Sequence, residues 1–160
     1  MQKKITTFLT FDGRAEEAVT LYTSIFPNSK ITSESRYGEG APMPKGTVIA
    51  MTFELDGVEM VALNGGPMFK FSSGVSLFVD CKTQQEIDTY WTQLTADGGA
   101  PGPCGWLTDK FGVSWQIVPD VLSKLIGDKD PARAGRAMQA MMTMQKLDIA
   151  ALERAHEGGV

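Results

Sequence analysis

The residue types that most often carry enzyme chemistry are scarce in this sequence. His156 is the single histidine, and it comes near the end of the last predicted helix, where we expect it to point into solvent. Without another imidazole, Ser–His–Asp and Cys–His nucleophilic centres are disfavoured, and so are the usual zinc sites. Cys104 has no neighbouring cation or helix N-terminus that would activate its thiol, and Cys81 comes at the end of a predicted strand, so we expect both to fill space.

Three carboxylates are the remaining acid–base candidates, and they lie close together in the sequence. Asp56 and Gly57 separate two alternating apolar runs, which is a strong signal for a tight hairpin turn. Glu54 and Glu59 flank this turn and should lie near each other across the hairpin. Exposed strand positions are the simpler interpretation, and a tuned acid–base carboxylate is the alternative.

A glycine-rich segment, "LNGGP" (63–67), follows a predicted strand. A phosphate-binding or dinucleotide-binding loop would lead directly into a helix, whereas here proline and another strand pattern follow. The segment is therefore predicted to be a tight turn. The same observation argues against a nucleotide-fold methyltransferase, which needs a glycine-rich turn from strand to helix.

The segment "CGWLTDKFGVSWQIVP" (104–119) predicts a hairpin with a polar residue in its second strand. Trp106 and Trp115 flank the turn, and Gln116 is the polar residue. Because side chains alternate across a strand, Ser114 and Gln116 share one face and Trp115 lies on the other. If Gln116 faces a cavity, Trp115 should face a layer of helices.

The elements that must position these residues form an internal repeat at an offset of 68 residues. Each copy reads as a strand ending in Asp, then a helix with an apolar face, then further strands. The aligned pairs are Leu9 and Leu77, Phe11 and Val79, Asp12 and Asp80, Val19 and Ile87, and Tyr22 and Tyr90. We therefore predict a single domain over residues 1–160, with module one at 3–66, module two at 73–118 and a helical tail at 119–157. Segments 38–46 and 96–105 are predicted loops.

The tail has its own start signals, because Asp130-Pro131 and Asp148 are typical helix N-termini. The formal net charge of the chain is −4, and no run of Lys and Arg exists, so nucleic acid and membrane surfaces are disfavoured as partners. No apolar run approaches the roughly 20 residues that span a bilayer. With two cysteines and no signal-peptide pattern at its start, the chain is expected to be cytoplasmic.

Two features of the sequence together resemble a known family. The two βαβββ repeats, with "FDGRAEEAVTLYTSIFP" and "CGWLTDKFGVSWQIVP", resemble the vicinal oxygen chelate (glyoxalase, bleomycin resistance and dioxygenase) superfamily. They look most like its PhnB-like branch, whose members are often labelled 3-demethylubiquinone-9 3-methyltransferase domain proteins. The resemblance covers nearly the whole chain, including the methionine-rich tail. It implies an α+β fold in which two modules form curved mixed sheets around a cavity, assembled as a homodimer.

Metal-using members of this superfamily hold a divalent cation with His and Glu side chains. The resemblance places the corresponding positions on Thr7, near Gly74, near Met60 and on Gln116. None is a histidine or a carboxylate, and neutral oxygens alone hold a hard cation poorly. We therefore expect no metal and no other cofactor.

The resemblance then implies a metal-free protein that binds a small molecule in a cavity. The predicted wall residues are Thr7, Glu54, Met60, Trp106, Trp115 and Gln116. The alternative is an enzyme, a lyase, isomerase or transferase, in which Glu54 or Glu59 supplies the acid–base chemistry. A third possibility is a structural dimer whose core is filled by side chains.

Overall fold

Each half of the chain folds into one strand–helix–strand–strand–strand unit, as the sequence repeat predicts. A computed structural model describes residues 4–159, and it divides into two compact units between Lys70 and Phe71. The predicted start of module one, residue 3, lies outside the described residues. Among the described residues, no helix is long and apolar enough to cross a membrane.

The first unit is a four-stranded mixed sheet with one helix. Its elements are β1 (Thr7–Phe11), α1 (Ala15–Ile25), β2 (Lys30–Arg36), β3 (Val48–Leu55) and β4 (Val58–Asn64). The strand order is β1-β4-β3-β2, in which β1 runs parallel to β4 and the other neighbours are antiparallel. Helix α1 buries its apolar face, including Val19 and Tyr22, as its 3.6-residue period predicts.

The predicted hairpin between β3 and β4 is confirmed. Asp56 and Gly57 have φ angles of 46° and 76°, the left-handed values that a two-residue hairpin turn requires. Asn64, at the end of β4, secures the start of α1. Its Oδ1 atom accepts a hydrogen bond from the backbone N–H of Ala15 at 3.0 Å.

The second unit repeats the same sheet and adds the tail. Its elements are β5 (Ser76–Cys81), α2 (Gln84–Thr95), β6 (Ala100–Pro101), β7 (Trp106–Thr108) and β8 (Ser114–Pro119). The order β5-β8-β7-β6, with β5 parallel to β8, matches that of the first unit, which confirms the predicted fold class. The prediction of a loop over 96–105 is wrong in part, because Ala100 and Pro101 pair with Thr108 and Leu107 as an edge strand.

The tail folds into three helices with a small core of their own. They are α3 (Leu122–Ile126), α4 (Pro131–Met142) and α5 (Ile149–Glu157). The predicted starts are confirmed, because the side chains of Asp130 and Asp148 accept hydrogen bonds from the N–H groups of Ala132 and Ala151. The shared buried residues of this core are Val118, Leu122, Leu125, Ala137, Leu147 and Leu152.

The prediction that His156 points into solvent is wrong. The residue is only 7% exposed, and its Nε2 atom lies 2.7 Å from Oδ2 of Asp128. Its Nδ1 atom lies 3.4 Å from the guanidinium of Arg133. A tautomer with its proton on Nε2 donates to Asp128 and accepts from Arg133, so the imidazole joins α5 to the start of α4.

Candidate functional site

One face of the second sheet carries the predicted polar residues of the hairpin. Gln116 on β8 is paired between Phe78 on β5 and Trp106 on β7. Ser114, two residues earlier, is paired in the same way between Ser76 and Thr108. Paired residues project to the same side of a sheet, so these side chains form one face with hydroxyl, amide and aromatic groups.

A groove of about 430 Å³ lies over part of this face. Trp106, Thr108 and Ser114 line it from the sheet. The rest of its lining is Leu107 of β7 and residues of the edge strand and neighbouring loops, namely Ser73, Ala100, Pro101, Gly102 and Pro103. The lining thus combines an aromatic ring and proline rings with three hydroxyl-bearing residues, a composition typical of small-molecule sites.

Gln116 is half-buried beside this groove. Its Nε2 atom donates a hydrogen bond of 2.9 Å to Oγ of Ser76. This bond orients the amide, because the carboxamide can donate to Ser76 only with its nitrogen turned toward β5. The carbonyl oxygen of the same amide group therefore points away from β5.

Trp115 lies on the opposite face from Gln116, as strand alternation predicts. It is 1% exposed, on the strand against which α2 packs. Its Nε1–H donates to Oδ2 of Asp109 at 2.9 Å. Trp115 therefore supports the hairpin from behind and does not line the groove.

Asp109 is a functional support that sequence reasoning missed. It is 3% exposed, and its Oδ1 atom accepts hydrogen bonds from the backbone N–H groups of Phe111 and Val113. With the bond from Trp115, one carboxylate thus closes the turn and holds the indole. An Asp that begins a turn often bonds the backbone two residues later, which is the signal that could have identified it.

In the first unit, the predicted wall residues divide between two faces. Thr7 and Met60 are paired with each other, and Met60 is 8% exposed on the face that also carries the buried Phe53. Glu54 lies on the other face, paired with Glu59, and its Oε2 atom is 3.6 Å from Nζ of Lys30. The structure therefore does not bring Thr7 and Met60 together with Glu54.

Thr7 and Met60 lie on the opposite face of their sheet from the first-unit counterparts of Ser76 and Gln116. When the strand registers of the two units are compared, Phe8 occupies the position of Ser76, and Leu63 that of Gln116. An odd shift along a strand moves a side chain to the opposite face of the sheet. The first-unit counterpart of Gln116 is therefore the apolar Leu63, which is no better a metal ligand than Met60.

The residues present do not fit the divalent metal of the superfamily. Residues 4–159 contain no group of three or more His, Cys, Asp or Glu side chains that could hold a metal ion. The donors around Gln116 are an amide and hydroxyl groups, which bind hard cations weakly without a charged ligand. Cys81 does not alter this, because burial raises the pKa of its thiol to about 12.

Neither strand-to-helix turn contains the glycine-rich loop that would bind a nucleotide-type methyl donor. The turn from β1 to α1 contains Gly13 as its single glycine, and the turn from β5 to α2, residues 82–83, contains none. A dinucleotide-type site requires closely spaced glycines there so that backbone N–H groups can approach the ligand.

The chain is similar to a known protein family and to several solved structures. Residues 3–118 match the family model described as 3-demethylubiquinone-9 3-methyltransferase. A structure described as a putative 3-demethylubiquinone-9 3-methyltransferase, PhnB protein, from Bacillus cereus is 45% identical, with a TM-score of 0.66. The match covers 73% of this chain and 99% of that one. The chain matches none of the curated proteins.

Two more distant structures share the fold. Protein PA1353 from Pseudomonas aeruginosa is 19% identical, with a TM-score of 0.60, over 74% of this chain and 98% of that one. The fosfomycin resistance protein FosX from Listeria monocytogenes, in complex with Mn(II) and sulfate, is 15% identical, with a TM-score of 0.51. That match covers 72% of this chain and 89% of the Listeria protein.

The extent of the family match corrects one expectation. The resemblance was expected to include the helical tail, but the family model ends at residue 118, before α3 begins. The Bacillus cereus structure is likewise covered almost completely by 73% of this chain. The tail is therefore an addition to the two repeated modules that the family model describes.

Proposed function

Because the chain belongs to the 3-demethylubiquinone-9 3-methyltransferase family, as a PhnB-like member of the vicinal oxygen chelate superfamily, we propose that it binds a small organic molecule without a metal. The groove over β7 and β8 is the proposed site. The observation that carries this proposal is the groove's lining, in which Trp106 stands beside the hydroxyl groups of Thr108 and Ser114.

The chemistry of the lining selects a class of ligand. No Asp, Glu, Lys, Arg or His lines the groove among the described residues, so a strongly charged molecule would lose its hydration without gaining an ion pair. An indole ring favours a flat partner that can stack on it. Hydroxyl groups both donate and accept hydrogen bonds. The favoured ligand is therefore a neutral, planar molecule that carries oxygen atoms.

The family description supplies a probe of this class. The ring of 3-demethylubiquinone is flat and carries several oxygen atoms. A water-soluble analogue with a short side chain is therefore the first compound to test. The fold alone does not decide this choice, since one fold carries many functions.

Trp106→Ala is the direct test of the site. We expect it to weaken binding of the short-chain probe about tenfold, because a lost stacking partner and its buried area are together worth about 1.4 kcal/mol. Trp91→Ala is the matched control, since Trp91 is half-buried on α2 and does not line the groove. Titration calorimetry measures both. Equal losses in the two variants, or no binding by the wild type, would count against the site.

The metal-free part of the proposal has its own test. Mn²⁺, Ni²⁺ and Zn²⁺ should each leave the melting temperature of the protein unchanged, because a metal that binds only the folded state would raise it. The amide of Gln116 and the hydroxyl of Ser76 are the donors that support this expectation. Stoichiometric metal binding that Gln116→Leu abolishes would contradict it.

The alternative function, an enzyme, is favoured by the family description alone. Glu54 and Glu59 remain its acid–base candidates; they are paired across the hairpin, and Oε2 of Glu54 lies 3.6 Å from Nζ of Lys30. Transfer of a methyl group from S-adenosylmethionine to the same probe is the assay. Turnover that Glu54→Gln removes, with binding of the probe retained, would establish this alternative.

A homodimer is also part of the proposal. Phe8 and Phe78 lie on β1 and β5, the corresponding edge strands of the two sheets, and are 57% and 59% exposed. Large apolar side chains exposed on a sheet edge are typical of a surface that another chain covers. Sedimentation equilibrium should give twice the monomer mass, and Phe78→Ser should shift the protein toward the monomer.

A further inference from the structure

We propose that the helical tail is a positioning element for the ligand groove: it holds the segment 102–106 that places Trp106, and thereby sets the affinity of the site. This inference rests on the proposed function for its effect on affinity. Its structural part, the control of segment 102–106 by the tail, stands on contacts within the second unit.

Segment 102–106 is a groove wall with few hydrogen bonds of its own. Gly102, Pro103 and Trp106 all line the groove. Within the segment, the N–H of Gly102 donates to the carbonyl of Trp106 at 2.8 Å, and the N–H of Trp106 donates to that of Pro103 at 3.0 Å. Pro103 has no N–H. These two bonds close a loop but leave its central residues to find partners elsewhere.

The tail supplies those partners. The N–H of Cys104 donates to the carbonyl of Met144 at 2.8 Å, and the N–H of Gly105 donates to that of Gln145 at 2.7 Å. Half of the four N–H groups in segment 102–106 therefore bond to the connection between α4 and α5. Buried backbone donors without partners are costly, so the conformation of this wall depends on the tail.

The backbone conformation of the segment strengthens this dependence. Cys104 has a φ angle of 56°, a left-handed value that is strained for a non-glycine residue. A Cβ atom on Gly105 would lie 2.8 Å from the carbonyl oxygen of Ile117 and 3.0 Å from Cδ1 of Leu147. Leu147, a tail residue, is fully buried. The wall is thus packed and bonded from the side opposite the groove, and it would relax if the tail moved away.

The connection between α4 and α5 is itself anchored to α2. Gln84 donates from Nε2 to the carbonyl of Leu147 at 3.0 Å, and its Oε1 accepts the N–H of Ile149 at 2.9 Å. Asp88, one turn later on α2, lies 2.6 Å from Nζ of Lys146. The hydrogen bond from Lys146 lowers the pKa of Asp88 below its usual value. Gln84 therefore controls the groove wall through the tail without touching the groove.

Gln84→Ala tests the proposal, with Gln85→Ala as the matched control because Gln85 is exposed on the same helix. Three quantities are compared in full-length protein: amide exchange at Cys104 and Gly105, the indole N–H signal of Trp106 in NMR spectra, and the Kd of the short-chain 3-demethylubiquinone analogue. We expect Gln84→Ala to speed exchange at both amides at least tenfold, to shift the Trp106 signal and to weaken binding severalfold. Gln85→Ala should change none of these.

The results for Gln84→Ala distinguish the role of the tail from the proposed function. Unchanged amide exchange and an unchanged Trp106 signal in Gln84→Ala would overturn the positioning role, and so would an altered Trp106 signal with wild-type affinity. If the wild type does not bind the probe, the proposed function falls, while the first two measurements still decide whether the tail holds the wall. Should Gln84→Ala lose helical content by circular dichroism, Asp88→Asn provides a milder release of the same connection, with the same expected directions.

Discussion

The bond between Asp109 and Trp115 is the part of the hairpin whose contribution can be measured most cleanly. Oδ1 of Asp109 accepts two backbone N–H groups at 2.9 and 3.0 Å, and Oδ2 accepts the indole N–H at 2.9 Å. In Asp109→Asn, the amide oxygen is held at the backbone donors, so the amide nitrogen faces the indole N–H. Two donors then oppose each other in a site where Asp109 and Trp115 are 3% and 1% exposed.

The expected cost follows from the loss of one bond to a charged acceptor. Such bonds contribute about 1.5–3 kcal/mol, and an unsatisfied buried donor adds to the loss, so Asp109→Asn should lower the free energy of unfolding by about 2–3 kcal/mol. Asp109→Ala also releases the turn N–H groups and should cost about 3–5 kcal/mol. In a Trp115→Phe background the indole donor is absent, so Asp109→Asn should cost only about 1 kcal/mol there.

Urea denaturation of the wild type, the two single variants and the double variant completes the cycle. The coupling free energy between Asp109 and Trp115 should be about 1–2 kcal/mol, above the 0.3–0.5 kcal/mol within which independent sites add. A coupling near zero would refute the reasoning, since it would mean that the indole N–H loses nothing when its acceptor becomes a donor.

Three further predictions concern the tail. Asp130→Ala should lower the free energy of unfolding by about 1 kcal/mol through loss of the α4 cap, while Asp130→Ser should retain most of it, as measured by urea denaturation. His156→Phe should lower the melting temperature by about 2–4 °C for each kcal/mol lost from its bonds to Asp128 and Arg133, and an equal melting temperature would contradict the bridging role. The pKa of Asp128 is lowered, first by the hydrogen bond from the N–H of Asp130 and then by that from His156. The ionised carboxylate therefore stabilises the fold above about pH 4, and this stabilisation is lost as the pH falls through the folded-state pKa. Asp128→Asn should accordingly reduce the loss of stability at acid pH, as measured by the free energy of unfolding against pH.

Local signals in the sequence were sufficient wherever neighbours along the chain decide the structure. The hairpin at Asp56-Gly57 formed as predicted because only small or polar residues adopt its left-handed turn at low cost. Asp130 and Asp148 cap their helices because each carboxylate bonds an N–H two or three residues later. The opposite orientations of Trp115 and Gln116 follow from strand alternation alone.

Local signals do not determine the register in which β1 pairs with β4. Thr7 and Met60 come one and three positions before Phe8 and Leu63, the counterparts of Ser76 and Gln116, and therefore lie on the other face. Register is set by the pairing of whole strands, through turn geometry and the packing of one face, so it is not encoded at any single residue. Glu54 and Glu59 were placed correctly because a two-residue turn determines their register directly.

The sequence by itself determined the repeated strand–helix pattern, the hairpins, the helix starts and the family, because each of these is recognised from the residue types within short continuous segments. Only the tertiary structure decided that His156 is buried between Asp128 and Arg133, residues 28 and 23 positions away. It also decided that the tail bonds to Cys104 and Gly105 through carbonyl groups, which every residue carries and which therefore leave no mark in the sequence. Contacts between backbone atoms of distant segments depend on how whole elements pack, and that packing is a property of the folded chain.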